Sequence, residues 1–389
     1  MIKRLGFLIS IFTLSTSFVQ AVELYKDDVN TLDLGGGLSI YYISGDNDYS
    51  EVNDGFSRFN FNFNRDLGDG WSAFSHLEWG IQVSSTDNNY QIGNNGLSSI
   101  GPTSDTIWLH KGYVGVNHKT YGAFTIGKQW GVSYDVGGAT DWFEVFGSDA
   151  QGTYNFDTDG GFSGTGRAEQ AVQYRMTFDK LTLSAQFMAT DEVLDFKIDD
   201  AGTIPPIYSG TLNIEDSYGA SVKYEAPFEL NFGVAYNKAK LKVGDVNGNE
   251  LSVDDELTGA FITYRNFGEP GLYIGLVLTN MKNHDFDDQK QVMAEANGIE
   301  FISIYRFNNP FAIVAGFISL DDVTKPSFTS KSKSNGKYKN EYFILSARYF
   351  WDENFYIYLE QKIDNSVSSN PSVVPVPGNA TALGMRFDF

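Results

Sequence analysis

Chemistry in a protein chain starts from nucleophiles, bases and metal ligands, and in this chain they are sparse. The 389 residues contain four histidines (His76, His110, His118 and His284) and no cysteine. Without cysteine there is no disulfide scaffold, no iron–sulfur cluster and no Cys-ligated zinc. Hydrolysis needs a nucleophile, a base and an orienting group held together. Neither G-x-S-x-G nor H-E-x-x-H occurs. His76 and Glu78 share one face of an extended segment, with no serine beside them in a recognisable motif. Asp285, Asp287 and Asp288 form an acidic run that could attract a divalent cation, but such runs are ordinarily solvated. The expectation is a protein with no catalytic residues, no metal and no cofactor. Lys plus Arg number 28 against 49 Asp plus Glu, a formal net charge of −21. That balance argues against a nucleic-acid partner, because phosphate selects for Lys and Arg.

The side chains in excess are aromatic. There are 31 Phe and 22 Tyr, yet the mean hydropathy is only −0.25. The length allows two or three ordinary domains or one large closed barrel. The opening MIKRLGFLISIFTLSTSFVQA reads as a secretory signal peptide. Lys3 and Arg4 are the basic start, an apolar stretch runs to about Leu14, and Val19-Gln20-Ala21 supplies small residues for cleavage. Residues 1–21 are therefore expected to be a leader and 22–389 the mature domain. Loss of Lys3 and Arg4 takes the formal charge from −21 to −23. Beyond it no apolar run approaches the roughly 20 residues of a spanning helix.

What recurs instead is alternation, the signature of a strand with two unlike faces. In FSRFNFNFN, Phe59, Phe61 and Phe63 share one face and Arg58, Asn60, Asn62 and Asn64 the other. In TALGMRFDF, Leu383, Met385, Phe387 and Phe389 oppose Ala382, Gly384, Arg386 and Asp388. Sixteen such segments run from 31–43 to 380–389, among them 216–226, 229–240 and 256–267. Most have the length of a tilted bilayer-crossing strand. Their connections alternate between short Gly/Asn/Asp/Pro turns, such as 65–70 and 308–311, and long polar stretches, such as 85–105, 191–215, 282–298 and 322–339. The longest is 131–166. In hydrocarbon every backbone polar group needs an internal partner, so strands cross only as a closed barrel. The fold expected is all-β, a transmembrane sixteen-stranded antiparallel barrel with Phe toward lipid and polar side chains toward the lumen.

The start VELYKDDVNTLDLGGGLSIYYIS, the passage GKQWGVSYDVGGATDWFEVFGSD (127–149), the strand GRAEQAVQYR (166–175) and the terminal Phe389 together resemble general porins of the OmpF/OmpC type. The resemblance implies a homotrimer in the Gram-negative outer membrane, in contact with lipid and lipopolysaccharide. It also implies a third loop folded inward to narrow each pore, with a basic wall facing acids on that loop. Residue by residue, Arg58 and Arg167 match constriction arginines. His110 stands where an arginine is usual, with Lys111 expected to point outward by strict alternation. No lysine stands near Gly37. On the loop, Tyr134 and Asp141 match, and Asp135, Glu144 and Asp149 are further acids; the usual glutamate is replaced by Val145. The resemblance implies a general diffusion channel for ions and small hydrophilic solutes. The thinned basic wall implies cation preference. If His110 lines the narrow point, conductance should change near its ordinary pKa of about 6.5. Trp142 is expected to pack the loop against the wall; the alternative is a platform for sugar rings in a sugar-selective channel. A barrel serving mainly as an adhesin or phage receptor is the remaining alternative.

Overall fold

The computed structural model describes residues 21–389 apart from 47–49, 85–87, 94–95, 103–105, 157, 190–191, 199–207, 246–249, 269, 290, 326–333 and 371–377. The expected leader lies outside the described residues except for Ala21. Sixteen long strands form one antiparallel sheet that closes on itself. They are β1 (Asn30–Gly45), β2 (Arg58–Gly68), β3 (Trp71–Ile81), β4 (Ile107–His118), β5 (Gly122–Trp130), β6 (Arg167–Phe178), β7 (Leu181–Met188) and β8 (Tyr208–Ala226). The second half comprises β9 (Leu230–Asp245), β10 (Glu250–Tyr264), β11 (Gly271–Lys282), β12 (Ala296–Arg306), β13 (Phe311–Asp322), β14 (Lys339–Phe350), β15 (Phe355–Asp364) and β16 (Ala380–Asp388). Each strand pairs with the next, and β16 returns to β1 with Gly37 opposite Asp388 and Gly45 opposite Ala380. Phe389 completes the seam by exchanging two backbone hydrogen bonds with Gly36, at 2.8 and 2.9 Å. The short strand Val22–Lys26 continues the seam below it, paired to Thr31–Leu34.

Alternation sets which side faces which medium. Along β9, Phe232, Val234 and Tyr236 are exposed on the outer surface, while Ala235, Asn237 and Ala239 are buried inside. Exposed apolar side chains on this scale, in a band around a closed barrel, are the surface that meets lipid. The barrel wall therefore spans the membrane, and the aromatic excess is largely its outer coat.

β8, β9 and β10 exceed their expected length, at 19, 16 and 15 residues. Charged pairs stand where these strands run past the expected segments, with Lys242 of β9 paired to Glu215 of β8. Lys238 stands opposite Glu256 and Lys240 opposite Asp254, and Lys238 Nζ lies 2.6 Å from Asp254 and 3.1 Å from Glu256. Cross-strand ion pairs continue the sheet into water, where a rule that looks for apolar alternation stops. Two expected loops also carry strands: Asn88–Gly93 pairs with Gly96–Pro102, and Glu192–Ile198 with the start of β8.

Candidate functional site: the lumen constriction

The third loop (131–166) leaves β5 at Trp130 and rejoins the wall at Arg167. It lies against the inner wall, held largely by carboxylates. Glu360 on β15 accepts the backbone N–H groups of Val145 and Phe146, both at 2.9 Å, and of Glu144 at 3.2 Å. Glu300 on β12 accepts the Ala150 N–H and the Thr140 hydroxyl, both at 2.8 Å. Acceptors for its backbone N–H groups are what an inward loop lacks, since it has no sheet partner and buried N–H groups must be paired. A one-turn helix α1 (Tyr134–Gly137) opens the loop. Its Val136, with Ala139, packs on Ala235 and Val277 of the wall.

Asp135 is placed differently from the expectation that it faces the pore. It is buried behind α1, where Arg175 grips both carboxylate oxygens at 2.7 and 2.8 Å. Lys223 stands at 3.6 Å and Ser221 donates at 2.5 Å. Burial alone raises a carboxyl pKa, but Arg175 and Lys223 outweigh it and hold Asp135 below the usual range. Its role is to anchor the loop.

The opposite wall is built on β2–β6 and β16. Glu78 on β3 gathers four basic groups: His110 Nδ1 at 2.5 Å, Lys111 Nζ at 3.3 Å, His76 Nε2 at 3.7 Å and Arg58 Nε at 3.9 Å. Lys111 was expected to point outward, and it does not. A bulge shifts the register of β3 with β4, so that Glu78 faces Lys111, Trp79 faces Leu109, and His110 is the extra residue. A bulge resets alternation by one position, which turns both His110 and Lys111 to the lumen. Arg386 on β16 also lines the lumen and is engaged by Asp388 at 2.8 and 3.0 Å. Arg167 lies over the rings of Trp130 and Tyr154, at 5.0 and 5.5 Å, with Asp159 at 3.8 Å.

Facing this wall, Asp141 accepts the Tyr134 and Ser148 hydroxyls, each at 2.7 Å. Burial, reinforced by Asp141, raises the Tyr134 phenol well above its ordinary value. Glu144 sits 3.0 Å from Arg348 of β14 and accepts the Tyr356 hydroxyl at 3.1 Å. Asp149 accepts Tyr342 at 2.7 Å and Asn340 at 3.0 Å. Trp142 stacks on Phe267, ring centroids 3.9 Å apart and planes 16° from parallel, and its carbonyl accepts from Arg348. One face of its indole is thus occupied by protein.

Between loop and wall lies a space of about 1150 Å³. It brings together Arg58, His110, Arg167, Tyr134, Asp141, Trp142 and Glu144, and leaves out Asp135. The expected basic wall of two arginines and a histidine is too thin: Lys111, Arg348 and Arg386 line the same space. Arg348 and Arg386 were legible, since each lies on the polar phase of its strand. Lys111 was not, because nothing local announces the bulge. The acidic run Asp285, Asp287 and Asp288 lines the outer mouth, where its carboxylates accept from neighbouring loops: Phe156 N–H to Asp285, Ser334 to Asp287, and Ser369 N–H to Asp288.

Comparison with known proteins agrees with this architecture. A family model described as Gram-negative porin matches residues 10–366. Outer membrane protein S2 of Salmonella typhi is 23% identical over 97% of each chain. Outer membrane porin N of Escherichia coli K12 is 22% identical over 97% of each, and OmpD of Salmonella typhimurium 25% identical over 97% of this chain and 96% of its own. Among solved structures, Salmonella typhi OmpF in complex with daunomycin superposes with a TM-score of 0.68 at 16% identity, over 94% of this chain and all of that one. An anion-selective porin from Comamonas acidovorans gives 0.59 at 16% identity, over 92% of this chain and all of that one. With its closed sixteen-stranded wall, inward loop and whole-length match, the chain belongs to the Gram-negative porin family of outer-membrane β-barrels.

Proposed function

We propose that the protein is a general diffusion channel that passes ions and small hydrophilic solutes and prefers cations. The observation that carries the preference is the charge lining the lumen: nine carboxylates (Asp33, Glu78, Asp141, Glu144, Asp149, Asp285, Asp287, Asp288 and Asp388) against five Lys and Arg side chains. The arginines and lysine of the wall do not act as bare charges. Glu78 stands among Arg58, Lys111 and two histidines, and Asp388 holds Arg386. The acidic mouth is left to set the sign of the field, and a confined aqueous path between low-dielectric walls enhances it. The anion-selective porin from Comamonas acidovorans shares this fold, so the fold alone does not dictate the sign. We further propose a homotrimer, a cleaved leader over residues 1–21, and contact of the outer rim with lipopolysaccharide. The constriction is assigned to Arg58, Arg167, His110, Lys111 and Arg386 on the wall facing Asp141 and Glu144 on the loop. Reversal potentials in a KCl gradient test the preference. The expected sign is that of a cation channel; the opposite sign rejects it, and a silent bilayer rejects the channel itself.

A further inference from the structure

The rear of the third loop is held by a contact that requires a proton. His284, in the outer loop between β11 and β12, is buried with 1% of its surface exposed. Its Nδ1 lies 2.5 Å from Asp255 Oδ1 on β10, and its Nε2 lies 2.8 Å from the carbonyl of Gly152 in the third loop. The ionised Asp255 carboxylate and the Gly152 carbonyl are both acceptors, and the Asn155 amide is a more distant third neighbour, 3.4 Å from Nδ1. A neutral imidazole carries a single N–H and can satisfy only one of the two acceptors, whereas the imidazolium satisfies both. The contact is one of several at this point. The Asn155 amide is 3.3 Å from the other Asp255 oxygen, and the Phe156 N–H donates to Asp285 at 2.9 Å. Residues 152–156 are thus fastened to β10 and to the His284 loop together.

We propose that His284 is a positioning residue of the constriction, a clamp that in its protonated form holds the rear of the third loop and in alkali lets it go. The titratable groups that face it are Asp255 from β10 and Asp285 from its own loop. Glu256 points to the other face of β10, where Lys238 and Lys282 engage it at 3.1 and 3.0 Å. Burial disfavours the charged ring, but Asp255 outweighs that and Asp285 adds to it, so His284 keeps its proton above the ordinary histidine value. The sign follows. The clamp is complete below the ordinary value of about 6.5 and is lost as pH rises through the raised one. On deprotonation the remaining proton stays on Nδ1 against the Asp255 carboxylate, and Nε2 is left bare against the Gly152 carbonyl.

The clamp extends the channel reading and relies on it only for the electrical half of the test. The whole protein in a planar bilayer is recorded from pH 6 to 10, beside Asp255→Asn. An asparagine amide donates to the bare Nδ1 of a neutral ring, so Nε2–H keeps its bond to Gly152 and the clamp no longer needs the extra proton. Wild-type current is expected to be steady near neutrality. Its brief closures then multiply by roughly tenfold per pH unit, following the deprotonated fraction, until the raised pKa is passed. Asp255→Asn stays flat. A flat wild-type record, or the same alkaline onset in both proteins, overturns the proposal. Imidazole ¹⁵N shifts of the wild type read the clamp without any current. Both His284 nitrogens are expected to be protonated at pH 7, and one bare nitrogen there overturns the proposal even if the bilayer is silent or the variant fails to fold.

Discussion

Glu78 decides how positive the wall is. It lies within ion-pair distance of Arg58, His76, His110 and Lys111, and 4% of its surface is exposed. Replacing it by glutamine keeps the shape and removes one negative charge from a cluster of basic groups. We expect Glu78→Gln to fold and to lower the cation-to-anion permeability ratio by about twofold to threefold. That is the scale of one unit charge felt across about 14 Å of water, roughly 0.3 kcal/mol against the cation and the same in favour of the anion. Reversal potentials read it directly, and an unchanged ratio would mean that Glu78 does not see the permeating ion. Arg167 should behave differently from Arg58. Trp130 and Tyr154 shelter it, so the lost cation–π packing accompanies the lost charge.

The third loop is the element whose placement makes a wide barrel into a narrow pore. Its seat depends on absent side chains as much as on present ones. A Cβ on Gly298 of β12 would stand 1.9 Å from the Ala150 carbonyl, and one on Gly316 of β13 would stand 2.2 Å from the Phe143 ring. We expect Gly298→Val to lift the loop off β12 and enlarge the pore, seen as a higher single-channel conductance. An unaltered conductance would show that the loop is seated elsewhere. Asp135 is the complementary case. Asp135→Asn removes the carboxylate from a cluster with the partly buried Arg175 and Lys223, and is expected to cost less than the roughly 3–5 kcal/mol of a fully buried broken pair. A lower unfolding temperature measures it. Because Arg175 and Lys223 hold its pKa low, the native anchor is complete above the ordinary carboxyl range. It is lost only as pH falls through the lowered value. Acid therefore loosens the front of the loop through Asp135, and alkali loosens the rear through His284.

For the whole molecule the controlling quantity is the field of the 49 acids and the 26 bases that remain once Lys3 and Arg4 leave with the leader. Charges at the mouth are hydrated and act over several ångströms of electrolyte, so they are screened: the Debye length shrinks from about 10 Å at 0.1 M salt to about 3 Å at 1 M. Cation preference is expected to weaken markedly between those concentrations. Reversal potentials taken at a fixed concentration ratio should fall toward zero. Selectivity that is independent of salt would place its source in the ion pairs of the narrow wall.

The amino-acid sequence by itself determined the period, the number of crossing strands and the side of each strand that meets lipid. Those are consequences of local alternation between two media, and FSRFNFNFN and TALGMRFDF carry them openly. It also placed Arg58 and Arg167 on the lumen face, because on a strand residue parity assigns a face, while Asp141 and Glu144 were placed by the resemblance of the third loop. Tertiary structure alone decided the rest. The bulge that brings Lys111 inward arises from pairing between β3 and β4, and parity counted along one strand cannot detect it. Asp135 turned from pore acid to anchor because Arg175 and Lys223, 40 and 88 positions away in the chain, meet it only once the barrel has closed. The clamp at His284 joins Gly152, Asp255 and His284 from a loop, a strand and another loop. Each of these arrangements depends on charges and donors buried together, and which of them are buried together is set by the closed sheet and not by spacing along the chain.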